Sequence, residues 1–157
     1  VHHKDHSGIR GHPSKCLIKG VVVNKWINGN SIGSYKGNET VTITANTFPS
    51  QTVGVIDVGS NTIKLLIAKA GTSVPAEQVD FIVKETRIGE GMTGSPPIID
   101  PAAIQRGSTA IAQLVNAASR CDSICIVATS AVRDASNKQE FVNAVEKACG
   151  HELRILS

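Results

Sequence analysis

The chain has 157 residues, 41% of them hydrophobic and 18% charged, with a formal net charge of +3. That is the composition of a globular protein with enough chain for one packed core. No stretch approaches the ~18 consecutive apolar residues of a membrane-spanning helix, so membrane insertion is not expected. Aromatics make up only 3% and no basic stripe is interleaved with them, which argues against nucleic acid as a partner.

Charge is unevenly placed. Six of the 16 Lys/Arg but only two of the 13 acids fall in residues 1–50, so the remainder is nearly neutral. A chain that opens on Val1, with no basic-plus-apolar leader, is expected to be a piece of a longer one. Residues 1–51 read as a poorly ordered leader of unknown role. Four of the five histidines (His2, His3, His6, His12) lie there; with no second ligand cluster at zinc-type spacing, a leader is favoured over a metal site. "LIKGVVV" (17–23) and "TVTITA" (40–45) can form isolated strands or a loose hairpin. "NET" (38–40) matches a glycosylation acceptor by chance, for want of a secretory leader. Cys16, Cys121, Cys125 and Cys149 form no CxxC pair and are expected as reduced, structural thiols of a cytoplasmic protein.

From residue 52 the pattern sharpens. "TVGVIDV" is a buried β-branched strand, "GSN" (59–61) a three-residue turn, and "TIKLLIAKA" (62–70) the returning strand of an antiparallel hairpin. "VPAEQ" is a loop, "VDFIVKETRIG" (79–89) a third strand, and "EGMTGSPP" a flexible polar loop. Asp100 and Pro101 then predict the N-cap and first position of a helix whose apolar stripe is Ile104, Ile111, Leu114, Val115 and Ala118. "SICIVAT" (123–129) is a buried strand and "SAVRDA" a loop. A second helix opens at Ser136 with Gln139 completing a capping box, buries Phe141, Val145 and Cys149, and stops at Gly150. "ELRIL" (152–156) is a last strand. The order β-β-β-α-β-α-β predicts a mixed α/β sheet with helices on its faces, the ribonuclease-H-like half-lobe of actin-like phosphotransferases, cut short at its C-terminus.

The turn carries the chemical question. A tight turn at the end of a buried strand gathers backbone N–H groups into an anion-binding concavity, and Ser60 and Asn61 add side-chain donors. Asp57 beside it would repel phosphate unless a divalent cation, most simply Mg²⁺, lay between them. The competing reading is a hairpin turn with favourable turn residues and nothing more.

Residues 53–71 resemble the first phosphate loop of the exopolyphosphatase / guanosine pentaphosphate phosphohydrolase (Ppx/GppA) family, an Asp-hydrophobic-Gly-Ser-Asn turn between two strands. "KETRIGEGM" (84–92) is similar to the family's Arg-hydrophobic-Gly-Glu-Gly segment, and "VATSAVRDASNKQEFV" (127–142) to its loop and helix start after the fourth strand. The resemblance covers residues 52–157, one incomplete N-terminal lobe. It implies a hydrolase that removes terminal phosphate from polyphosphate or guanosine pentaphosphate with Mg²⁺, as a homodimer at full length. By it Asp57 holds the metal, Gly59, Ser60 and Asn61 cradle phosphate, and Thr129, Ser130 and Arg133 line the cleft. Arg133 reaching a phosphate oxygen competes with Arg133 as a surface residue paired with Asp134 or Glu140. Arg87 and Glu90 are possible cleft residues, with a solvated loop tip as the alternative.

One departure is large. The family's general-base glutamate, in a Gly-x-Glu-Glu-Ala-Arg segment, and its second phosphate loop do not occur in these 157 residues, so the chain by itself is expected to be inactive. The rivals are a sugar- or acetate-kinase-like phosphotransferase of the same superfold and a non-catalytic phosphate- or alarmone-binding module.

Overall fold

The computed structural model describes residues 15–18, 21–27, 39–45, 51–70 and 77–156. The histidines at 2–12, Asn38 of the glycosylation triplet and most of the 74–78 loop lie outside the described residues. Strands β1 (Lys15–Ile18), β2 (Val21–Ile27) and β3 (Glu39–Ala45) pair antiparallel in that order. The sequence offered two isolated strands or a hairpin for this region; the structure has three strands in one sheet.

The second sheet has the order β6-β5-β4-β7-β8. Its strands are β4 (Gln51–Val58), β5 (Thr62–Ala70), β6 (Glu77–Glu85), β7 (Ser123–Ala128) and β8 (Leu153–Ile155). β4, β5 and β6 are antiparallel, whereas β4-β7 and β7-β8 run parallel. This is the mixed sheet that the element order predicts. β4 is its middle strand, and Val53 through Val58 are buried on both faces, as a run dominated by Val and Ile requires.

Among the described residues three helices complete the unit: α1 (Pro101–Ala117), α2 (Ser130–Asp134) and α3 (Lys138–Cys149). Ile56 and Val58 from β4, Ile63 and Leu65 from β5, and Ile126 and Ala128 from β7 pack with Ile104, Ile111 and Leu114 of α1 and Phe141 and Val145 of α3 in one core. By strand alternation all of these sheet residues point to the same side, so the described helices share one face. On the other face Val53, Val55, Asp57 and Val127 are buried, and β1 approaches β7 while β3 approaches β5. Where α1 crosses α3, Gly107 leaves a notch for the Phe141 ring: a Cβ there would lie 2.8 Å from a ring carbon. The notch outweighs the ~1 kcal/mol that a mid-helix glycine costs.

The first helix begins as its sequence predicts, with Asp100 accepting from the Ala102 amide at 2.8 Å and Pro101 in the first turn. Gly150 closes α3 in the left-handed region at φ 70°. Four readings need correction. The third strand stops at Glu85, because Arg87 turns the chain at φ 46°. "EGMTGSPP" is a succession of turns closed by a Thr93–Ile98 bridge. "SAVRDA" is mostly helical, as α2. The capping box at Ser136 does not form: Asn137 is the N-cap residue, and the Gln139 side chain bonds Asn143 instead.

Asn137 has another task. Its side chain accepts from the Ile99 amide at 2.9 Å and donates to the Ile99 carbonyl at 3.0 Å, stapling the start of α3 to the residue before the α1 cap. Ser136 adds bonds from its amide and hydroxyl to the Pro97 carbonyl at 2.8 and 3.2 Å. Two bonds to a half-buried amide predict that Asn137→Ala costs about 1–3 kcal/mol. Gln139→Ala, altering only an exposed pair, stays within ~0.5 kcal/mol of wild type. Urea unfolding of the two variants checks the contrast; a larger loss for Gln139→Ala would restore the capping box.

Candidate functional site

The antiparallel β4-β5 pair and the parallel β4-β7 pair together decide where the site lies. Both β4 and β7 run toward the turn at 59–61, so Thr129, the residue that follows β7, arrives beside it and donates its amide to the Val58 carbonyl at 3.3 Å. The carboxyl ends of adjacent parallel strands are where open α/β sheets bind ligands.

The turn is closed by the Gly59 amide, which donates to the Thr62 carbonyl at 3.1 Å. That amide is therefore committed to the fold. A side chain at Gly59 would press on the same carbonyl, at 3.0 Å. The amides of Ser60 and Asn61, by contrast, donate to no acceptor among the described residues. Their carbonyls are engaged from the other side: Thr86 and Arg87 amides donate to Asn61 O at 3.0 and 2.8 Å, and Gly89 N donates to Ser60 O at 2.9 Å. The segment 86–90 thus lies along the outside of the turn. It is held from behind by Arg106 of α1, whose Nε donates to the Thr86 carbonyl at 3.3 Å, and by Ile88, which is fully buried.

Asp57 is 9% exposed, two positions before the turn, and sits opposite Lys64 on β5 and Val127 on β7. Alternation places it on the face away from α1. No group of three or more His, Cys, Asp or Glu that could hold a metal occurs among the described residues. A single carboxylate still fits Mg²⁺, which keeps several waters and takes one or two carboxylates with substrate phosphates.

The two arginines are both paired at the surface. Arg133, on α2, donates from Nε to Asp134 at 2.8 Å, and Arg87 from its guanidinium to Glu85 at 2.7 Å. Each carboxylate raises the pKa of its arginine, chiefly through the hydrogen bond. Solvent screens exposed pairs of this kind and leaves them weak, so either guanidinium can be drawn away by a better anion. Ser130 and Glu90 are exposed and Thr129 is half-buried. The structure therefore brings Asp57, Ser60, Asn61 and Thr129 to one end of β4, with Arg133 and Ser130 following on α2. Glu90 lies beyond the turn, in the segment that holds it.

Sequence reasoning missed this second role of 86–90. Nothing in "KETRIG" signals that its amides would serve the neighbouring turn, since the positive φ falls on Arg87 and not on a glycine.

Comparison with known proteins bears on the whole unit. The model of the Ppx/GppA phosphatase family matches residues 68–157, beginning within β5. Exopolyphosphatase 1 of Mycobacterium bovis (strain ATCC BAA-935 / AF2122/97) is 35% identical over 106 residues, which are 66% of this chain and 30% of that protein. Exopolyphosphatase 2 of Mycobacterium tuberculosis (strain ATCC 25618 / H37Rv) is 34% identical over 106 residues, 64% of this chain and 33% of its own length. The chain thus spans about a third of the relatives it matches. Among solved structures, an exopolyphosphatase-like protein superposes with a TM-score of 0.64 at 28% identity, over 70% of this chain and 34% of its own. An Aquifex aeolicus PPX-GPPA enzyme shares the fold with a TM-score of 0.61 at 22% identity, over 68% of this chain and 36% of its own.

Thr86 offers a test of the local geometry. It is 7% exposed, and its hydroxyl has no hydrogen-bond partner among the described residues. Thr86→Val keeps the shape and removes an unsatisfied buried group, so stability should hold or rise by up to ~1 kcal/mol. A loss above that size in urea unfolding would show that the hydroxyl is bonded.

Proposed function

The chain belongs to the Ppx/GppA phosphatase family, and from that premise we propose that it forms part of a hydrolase releasing terminal phosphate from inorganic polyphosphate, with guanosine pentaphosphate as a second substrate. One observation carries the reading: the Ser60 and Asn61 amides, without acceptors among the described residues, stand at the carboxyl ends of two parallel strands beside a buried carboxylate. The names of the matched relatives, exopolyphosphatases 1 and 2, support polyphosphate as the substrate class.

In this reading the substrate's phosphate oxygens accept from the Ser60 and Asn61 amides and from the Ser60 hydroxyl. Gly59 contributes by closing the turn rather than by donating. Arg133 exchanges Asp134 for a phosphate oxygen, a fork-to-oxyanion geometry that a surface carboxylate only partly satisfies. Thr129 and Ser130 border the same space, while Arg87 and Glu90 flank it. Asp57 would hold Mg²⁺, which when bound offsets the charge of the phosphate chain. Water attacks phosphorus, the bridging P–O bond breaks, and the shortened chain leaves with its oxygen. In the family's pattern the carboxylate that takes the water's proton lies in a segment these 157 residues do not contain.

Phosphate release from polyphosphate with Mg²⁺, by the protein at its natural length, tests the proposal. Asp57→Asn should lower kcat by at least ~10³, the loss of an oriented metal costing several kcal/mol of transition-state stabilisation. Near-normal turnover at saturating Mg²⁺ would remove Asp57 from the site.

Arg133→Ala should raise the KM for polyphosphate and flatten its dependence on ionic strength, whereas Arg133→Lys should recover only part. If both variants follow wild type across the salt series, Arg133 is a surface residue paired with Asp134.

A further inference from the structure

Three glycines follow one another closely after β6, and they are there for different reasons. Gly91 and Gly94 adopt positive φ, at 74° and 96°. Gly89 does not, so its backbone is open to any L residue. What excludes a side chain at Gly89 is a neighbour: a Cβ would lie 3.1 Å from the Ser60 Cβ, with the Ser60 carbonyl oxygen and Cα at 3.5 and 3.7 Å.

We infer that Gly89 is a positioning residue for the turn, its missing side chain letting segment 86–90 lie flat on Ser60 and so setting the direction of the Ser60 and Asn61 amides. The inference rests on the reading of that turn as the phosphate site. Three amide-to-carbonyl bonds join the two segments: Gly89 to Ser60, and Thr86 and Arg87 to Asn61. They are unequal partners. Segment 86–90 is anchored in the core by Ile88, which is fully buried, and tied to α1 by Arg106. The turn is rooted in the core at Val58 and Ile63, but between them Gly59 and Ser60 are half-buried and Asn61 is exposed, and Gly59–Thr62 is its one internal backbone bond among the described residues. A methyl group at position 89 therefore displaces the turn and leaves the segment where it is.

That asymmetry gives Gly89 an effect on binding through Ser60, without any contact of its own with substrate. Displacing a binding group by a fraction of an ångström lowers affinity and leaves the remaining chemistry in place, and misplacement by ~1 Å can cost ~10²-fold.

A double-mutant cycle isolates the contact, because Ser60→Gly removes the atom that a Cβ at 89 would meet. Inorganic tripolyphosphate is titrated calorimetrically against the protein at its natural length, as wild type, Gly89→Ala, Ser60→Gly and the double variant. Gly89→Ala should weaken binding by at least ~10-fold in the wild-type background, and by less than about twofold once Ser60 is Gly. An equal factor in both backgrounds, or none in either, overturns the inference. Gly91→Ala serves as the control, since it strains the backbone but meets no atom within 4 Å. It should lower the thermal midpoint and leave the affinity alone, and a loss matching that of Gly89→Ala would also overturn the inference. If Gly89→Ala folds poorly, recovery of folding by Ser60→Gly reports the same contact. Should wild type bind no tripolyphosphate, the phosphate reading falls, and amide hydrogen exchange decides the positioning claim. Faster exchange at Asn61 in Gly89→Ala, reversed by Ser60→Gly, sustains it; unchanged rates end it.

Discussion

Strand β4 is the constraint on which the site depends. It pairs antiparallel with β5 on one side and parallel with β7 on the other, and it is buried on both faces. The antiparallel partner demands a turn at its carboxyl end, and the parallel partner delivers the β7 exit to the same end. Neither feature alone would bring Ser60 and Thr129 together. Register is fixed just as firmly. A one-residue slip would move Ile56 and Val58 off the α1 face and carry Asp57 onto it among Ile63, Leu65 and Ile126, where an uncompensated carboxylate is prohibitive.

The supporting layer follows from the same strand. Ile56 and Val58 face α1, and the helix pair above them closes to the distance that Gly107 permits to Phe141. The segment 86–90 is caught between that core and the turn, with Ile88 inward and the Gly89 amide outward. Packing on one side of the sheet is thereby converted into backbone geometry at its end.

Much of this was legible in the sequence. The β4 and β5 runs, the three-residue turn, the Asp100–Pro101 helix start and the Gly150 stop each rest on local chemistry that tertiary context did not override. The misreadings have a common cause. Ser136 with Gln139 satisfies the capping-box spacing, but Asn137 one residue later had stronger bonds to make with Ile99, a partner 38 residues distant and invisible to any local rule. The third strand was drawn too long because alternation continues through "TRIG", while the chain turns at Arg87 to reach Asn61. At the site, residue types marked the turn correctly, yet only the structure shows that Gly59 spends its amide on Thr62 and that both arginines rest on carboxylates of their own segments.

The Asn137–Ile99 staple reaches further than the stability of one helix. Ile99 immediately precedes the Asp100 cap, so a single amide side chain joins the beginnings of α1 and α3. Fraying at either N-terminus therefore breaks bonds that the other also uses. Opening is thereby coupled across residues 97–104 and 136–141, which lie far apart in the chain.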